Sequence, residues 1–195
     1  WNADTGAELW TVRCDGEVLS VAYSADGTKL AAGLGDPEPS VVVFNTQTNE
    51  QICSLRGENA IFSLAFSPDG QLIATGEGNP YNASAAGAVR IYCASTGQVK
   101  RALNVDGSVS SIDFAPCGNK LAAAFNIYQY GSFKEGGVKI FSNQGSAGFV
   151  CQSTLRGHSA VVRSVCFSSD GKKLTSGSED STVRNWNPAT RASLS

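Results

Sequence analysis

Four times along the chain an alternating apolar run enters a polar turn closed by glycine and leaves as a second alternating run. The copies are AYSADGTKLAA at 22–32, AFSPDGQLIAT at 65–75, DFAPCGNKLAA at 113–123 and CFSSDGKKLTS at 166–176. Period-two alternation puts one side of each run in a core and the other outside, which predicts strands, and the short glycine-ended turn joins them as a β-hairpin. The turn glycines Gly27, Gly70, Gly118 and Gly171 are separated by 43, 48 and 53 residues. One four-stranded propeller blade occupies roughly 40–45 residues, so each copy predicts a blade and the excess is expected in loops.

The fourth copy is the fullest: Gly157 and His158, the run VVRSVCF, the turn SSDG, the run KKLTSGSED and the run TVRNW follow in order. This stretch resembles the WD-repeat family, whose repeats begin near a GlyHis pair and end near a TrpAsp pair, here Trp186 followed by Asn187. Elsewhere Asp15Gly16, Glu58Asn59 and Asp106Gly107 stand where GlyHis would fall, and Phe44, Tyr92 and Phe141 replace the Trp. The resemblance implies an all-β β-propeller of four-stranded antiparallel blades with four repeats present. The expected divisions are 1–13 as the outer strand of a preceding or closing blade, 14–56, 57–103 and 104–154 as blades one to three, and 155–195 as a fourth blade lacking a complete outer strand. Two arrangements fit: part of a larger ring of about seven blades, the favoured one, or a closed four-bladed ring in which residues 7–12 pair with 181–187. No Met occurs, so Trp1 is not a translation start and a piece of a longer protein is expected.

Ser176, His158 and Asp180 would attract a search for hydrolases. The family resemblance instead implies that they form a buried hydrogen-bond network with Trp186, each polar group satisfied by the next. A triad hydrolase needs an exposed nucleophile on a strained turn, and no GxSxG occurs. GLGDPE at 33–38 and GEGNPY at 76–81 lack the third glycine of a dinucleotide fingerprint and are read as loops, and the sequon at Asn82 is read as loop sequence too.

Composition removes other classes. Apolar content of 42% with 16% charge is ordinary for a soluble globular domain, and no apolar run approaches the roughly 18 residues of a membrane span. Six Cys without CxxC spacing and a single His assemble no zinc or redox motif, so reduced thiols, no metal, no cofactor and a cytoplasmic setting are expected, with nuclear or cytoskeletal association left open. Net charge is −2, divided as six Lys/Arg and three acids in 154–195 against nine and fourteen before it. The basic residues are scattered without interleaved aromatics, which argues against direct nucleic-acid binding.

The copies differ most between their second and third strands: GDPEPS, GEGNPYNASAAGA and NIYQYGSFKEGG in copies one to three against SED in the fourth. Long loops cost little stability and commonly carry binding. Tyr81 in the second insertion and Tyr128, Tyr130, Phe133 and Lys134 in the third are candidate partner contacts, because aromatics flanked by polar residues are the composition of interface hot spots. A ring could instead extend the strand, since IYQY alternates. By the resemblance, the residue before the strand-one Ser points toward the binding face, which adds Phe62 and Arg163, with Glu179 beside the blade-four turn as a third. The function expected is a non-catalytic protein-interaction scaffold binding other proteins or peptides. The alternatives are an architectural subunit of a cytoskeletal or ribonucleoprotein assembly, and a propeller enzyme or ligand-binding protein with a channel site.

Overall fold

The four polar turns close through one pattern of hydrogen bonds. In the first, the Ser24 hydroxyl donates to Asp26 at 2.6 Å, the Thr28 amide donates to the same carboxylate at 3.0 Å, and Gly27 takes φ 70°. Ser67, Asp69 and Gln71 repeat this in the second turn, and Ser168, Asp170 and Lys172 in the fourth. The third turn substitutes a thiol, with Cys117 Sγ donating to Asn119 Oδ1 at 2.7 Å. Only glycine adopts the left-handed backbone of this turn without strain, which is why it recurs in all four copies.

The computed structural model describes residues 1–35, 40–78, 87–190 and 192–194. Each hairpin supplies the inner strands of a four-stranded antiparallel sheet. Blade one comprises β1 (Val18–Tyr23), β2 (Lys29–Leu34), β3 (Ser40–Asn45) and β4 (Gln51–Arg56). Blade two comprises β5 (Ile61–Phe66), β6 (Leu72–Glu77), β7 (Gly87–Cys93) and β8 (Val99–Val105). Blade three comprises β9 (Ser108–Phe114), β10 (Lys120–Gln129), β11 (Ser132–Asn143) and β12 (Phe149–Arg156), and blade four β13 (Val162–Phe167), β14 (Leu174–Ser178), β15 (Val183–Trp186) and β16 (Ser193–Leu194). Strands β8 and β12 run two residues past the expected divisions at 103 and 154.

Blades stack by pressing the front of one sheet on the rear of the next. Ala31, Val41, Val43 and Leu55 of blade one meet Ile61, Leu64, Phe66, Ile73 and Tyr92 of blade two in one buried cluster. Ala122, Ala124, Val138, Ile140 and Leu155 of blade three meet Val162, Val165, Leu174 and Trp186 of blade four in another. Small residues on the inner strands let the sheets approach: a Cβ on Gly76 would lie 2.6 Å from Val109 Cγ1 of the next blade. Side chains on one inner strand also bind the backbone of the next. Ile112 N donates to Ser63 Oγ at 3.0 Å, Val165 N to Ser111 Oγ at 3.1 Å and Phe167 N to Asp113 Oδ2 at 2.7 Å.

These contacts run in series, β1 on β5, β5 on β9 and β9 on β13, and no comparable contact joins β13 to β1, so the four blades form an open arc. The latch of residues 7–12 onto 181–187 is not formed. Residues 7–12 carry no strand, and β16 provides the outer strand of blade four by pairing with β15. Trp10 instead lies against Phe44 with ring centroids 5.8 Å apart, covering the apolar cluster of Ala32, Leu34 and Phe44 on the rear of blade one. A partly buried indole packed on an apolar slot gains contact area that a lone strand at a sheet edge does not. The inner part of that rear face stays open: Val18, Val21 and Tyr23 are 50%, 64% and 62% exposed, against 0%, 6% and 8% for the equivalent Ile61, Leu64 and Phe66.

Candidate functional site

In blade four the strand register brings Trp186 opposite Leu174, which places its indole beside Ser176 on the adjoining strand. Trp186 Nε1 donates to Ser176 Oγ at 2.9 Å, and Ser176 Oγ meets His158 Nε2 at 2.8 Å. His158 Nδ1 meets Asp180 Oδ2 at 2.8 Å. The Asp180 carboxylate also accepts from the Thr182 hydroxyl at 2.6 Å and the Ser159 amide at 3.0 Å. The Thr182 hydroxyl first, then the His158 ring and the Ser159 and Thr182 amides, hold the Asp180 carboxyl well below the usual carboxylate range. A carboxylate can only accept, so Nδ1–H donates to it and the Ser176 hydroxyl donates to Nε2. Ser176 is wholly buried, so its hydroxyl has no route to a substrate.

The same slot is filled differently elsewhere. Blades one and three place Ala32 with Phe44 and Ala123 with Phe141, losing the hydroxyl and the indole N–H together, which leaves no orphaned donor. Blade two builds a charged cluster that sequence reasoning missed. Thr75 donates to Glu77 at 3.1 Å, the Tyr92 hydroxyl donates to the Arg56 carbonyl at 3.1 Å, and Arg90 pairs with wholly buried Glu77 and, at 2.6 Å, with Glu58. Burial, then the Glu77 carboxylate, push the Tyr92 phenol up. The available signal was a Glu ending an otherwise apolar strand with an Arg two residues before the Tyr.

On the face that carries the strand-two-to-three connections, three of the candidate residues converge. Phe62 of blade two, Tyr128 of blade three and Arg163 of blade four line one depression of about 140 Å³, with Ser108, Val109, Ser110 and Asn126 completing it. Asn126 was not anticipated. It is buried and clamps the neighbouring blade, donating from Nδ2 to the Val162 carbonyl at 3.0 Å and accepting from Val162 N at 2.8 Å. Ser110 donates to the same carbonyl at 2.6 Å. Arg163 Nε donates to Glu179 at 2.8 Å, so these two candidates form one exposed ion pair on the rim.

The blade-three insertion is an extension of β10 and β11, with only Tyr130 and Gly131 outside the strands. Tyr128 and Phe133 sit opposite each other across this hairpin, their rings edge-on at 6.4 Å. Tyr130 at the tip is 93% exposed with φ 51°, and Lys134 is exposed beside it. Tyr128 belongs to both the hairpin and the depression, making them one continuous surface. Tyr81 lies outside the described residues.

Comparison with known proteins agrees with this architecture. The family model described as WD domain, G-beta repeat matches residues 49–92 and 149–187. Nuclear distribution protein PAC1-2 of Uncinocarpus reesii is 35% identical over 89 residues, covering 46% of this chain and 19% of that protein. The Notchless protein homolog of Arabidopsis thaliana is 50% identical over 44 residues, 23% of this chain and 9% of that one. A chain in the crystal structure of the mitotic checkpoint complex superposes with a TM-score of 0.72 at 21% identity, over 88% of this chain and 49% of its own length. This chain thus spans about half the length of that structure and a fifth or less of these curated relatives. Four four-stranded blades in series, a Trp–Ser–His–Asp network in the last, and the repeat model matching residues 49–92 and 149–187 show that the chain carries WD repeats on a β-propeller fold.

Proposed function

We propose that this chain is a non-catalytic scaffold that docks a protein or peptide partner on the surface formed by the depression and the β10–β11 hairpin. WD-repeat propellers generally act as protein-interaction scaffolds and are typically non-catalytic. The observation that carries the reading is the convergence of Phe62, Tyr128 and Arg163 from three blades on one depression that runs into the hairpin. An apolar ring, a phenol and a planar cation around a polar floor suit a peptide: rings supply contact area, and the guanidinium reads a carbonyl or carboxylate with fixed geometry. Tyr130, Phe133, Lys134 and Glu179 extend that contact, with Tyr81 a further candidate on the blade-two insertion. The six cysteines are all free, which suits a reducing compartment, cytoplasmic or nuclear.

The test is affinity purification with the unaltered chain and with Tyr130→Ala/Phe133→Ala as paired baits, quantified by mass spectrometry. Truncating two hot-spot rings costs about 2 kcal/mol or more in affinity, roughly thirtyfold, so the variant should lose its partners while its melting temperature stays within a few degrees. Recovery of the same proteins in the same amounts would eliminate the hairpin.

A further inference from the structure

We propose a second docking site on the opposite face of the arc, a basic cleft between blades two and three that receives an acidic peptide segment. It rests on observations separate from the depression. The hairpin and the cleft lie at opposite ends of β11, whose twelve residues span about 40 Å at the usual rise per residue. A ligand on one face therefore leaves the other free.

The cleft holds about 200 Å³. Its floor is apolar, from Leu72, Ile91 and Phe149. One rim is the turn Gly145–Gly148, which carries the exposed Ser146, and the other is the start of β8 with Lys100 and Arg101. No lining residue is acidic. Other long cations of blades two and three are committed: Arg90 to Glu77 and Glu58, Lys139 to Asp106, Arg156 to Glu135; Lys120, opposite Ser142 at the start of β10, adds a further positive charge near Asn143. Lys100 and Arg101 have no carboxylate partner among the described residues. Two uncommitted cations at a concave, partly apolar site, in the part of the chain where acids outnumber bases fourteen to nine, present a local positive field that an acidic ligand complements.

Lys on an edge strand can also serve only to repel another sheet edge. That role needs charge and no cavity, whereas here the cations face an apolar floor closed by a turn of the next blade. The chemistry that fits is a carboxylate or two flanking an aliphatic side chain: the carboxylates meet Lys100, Arg101 and the Ser146 hydroxyl, and the side chain covers the half-buried Leu72. A single-stranded nucleic acid fits less well, because Phe149 is buried and offers no face for a base to stack upon.

The experiment uses the 195-residue chain and fluorescence anisotropy with a labelled peptide Glu-Glu-Leu-Glu-Glu. A Gln-Gln-Leu-Gln-Gln peptide is the control, and inorganic phosphate and an oligo-uridine are competitors. The acidic peptide should bind at 50 mM salt, weaken at 500 mM, and lose roughly tenfold in affinity with Lys100→Gln/Arg101→Gln. Ser146→Glu, on the other rim, should weaken it independently, while Tyr130→Ala/Phe133→Ala leaves it unchanged. Equal binding of the two peptides, or unaltered affinity in both cleft variants, overturns the site. Displacement by millimolar phosphate would reduce it to a bare anion site, and displacement by oligo-uridine at lower concentration than the peptide would reassign it to nucleic acid; either result overturns the peptide reading.

Discussion

Ser176 and Trp186 depend on each other, and blades one and three show what happens when both are replaced. Ser176→Ala alone strands the indole N–H and the His158 ring nitrogen in the interior, a cost of about 1–3 kcal/mol. Trp186→Phe alone removes a donor and some volume. The combined variant reproduces the Ala123 and Phe141 arrangement of blade three, so its destabilisation should fall short of the sum of the single changes by about 1 kcal/mol, read from urea unfolding of all four proteins. Strict additivity would mean that the hydroxyl and the indole do not share one network. The blade-four network was legible from sequence because its four residue types stand together at the spacing of a known repeat. The blade-two cluster was not, since Glu77 and Arg90 come together only through the β6–β7 register across a long connection, which no local pattern encodes.

Three of the four hairpin turns, those built on Asp26, Asp69 and Asp170, have their own pH dependence. Hydrogen bonds from Ser24 and Thr28 hold Asp26 at about 2, below its ordinary 3.8, and the same chemistry lowers Asp69 and Asp170. A carboxyl with a depressed folded value stabilises fully above its unfolded value and loses that contribution as pH falls through the folded one. The melting temperature should therefore decline as pH drops from about 4 toward 2, and Asp26→Asn, Asp69→Asn and Asp170→Asn together should flatten that decline, as followed by circular dichroism. An unchanged slope would show that the turn carboxylates are not held in this way. The blade-three turn, with Cys117 and Asn119, has no carboxylate to add to this effect. These turns were the most readable elements, because glycine and the Ser–Asp pair determine them within five residues. The end of the blade-three insertion was less so: the alternation of IYQY allowed either a loop or longer strands, and pairing with SFKE decided for strands.

At the scale of the whole molecule, one flank of the arc is apolar and open. Val18, Val21 and Tyr23 repeat positions that are buried between blades elsewhere, while the N-terminal segment covers only the outer part of that face through Trp10. Exposed strands of this kind associate, so Val21→Lys/Tyr23→Lys should lower light scattering of the concentrated 195-residue chain without lowering its melting temperature. Unchanged scattering would mean that another surface drives association. The seating of Trp10 escaped the sequence because it depends on a nonlocal slot at Phe44, whereas the strand-like pattern around it suggested an edge pairing. What the fold holds constant, the stacked hairpins, positions what it varies, the face proposed to be read by partners. Site-specific photo-crosslinking in cells tests that most directly, with benzoyl-phenylalanine placed at Phe62, at Tyr130, or at Thr48 on the exposed turn at the other end of blade one. The first two positions should capture the same partner and Thr48 should not; a partner crosslinked equally well from Thr48, or from neither Phe62 nor Tyr130, would rule out docking on the varied face.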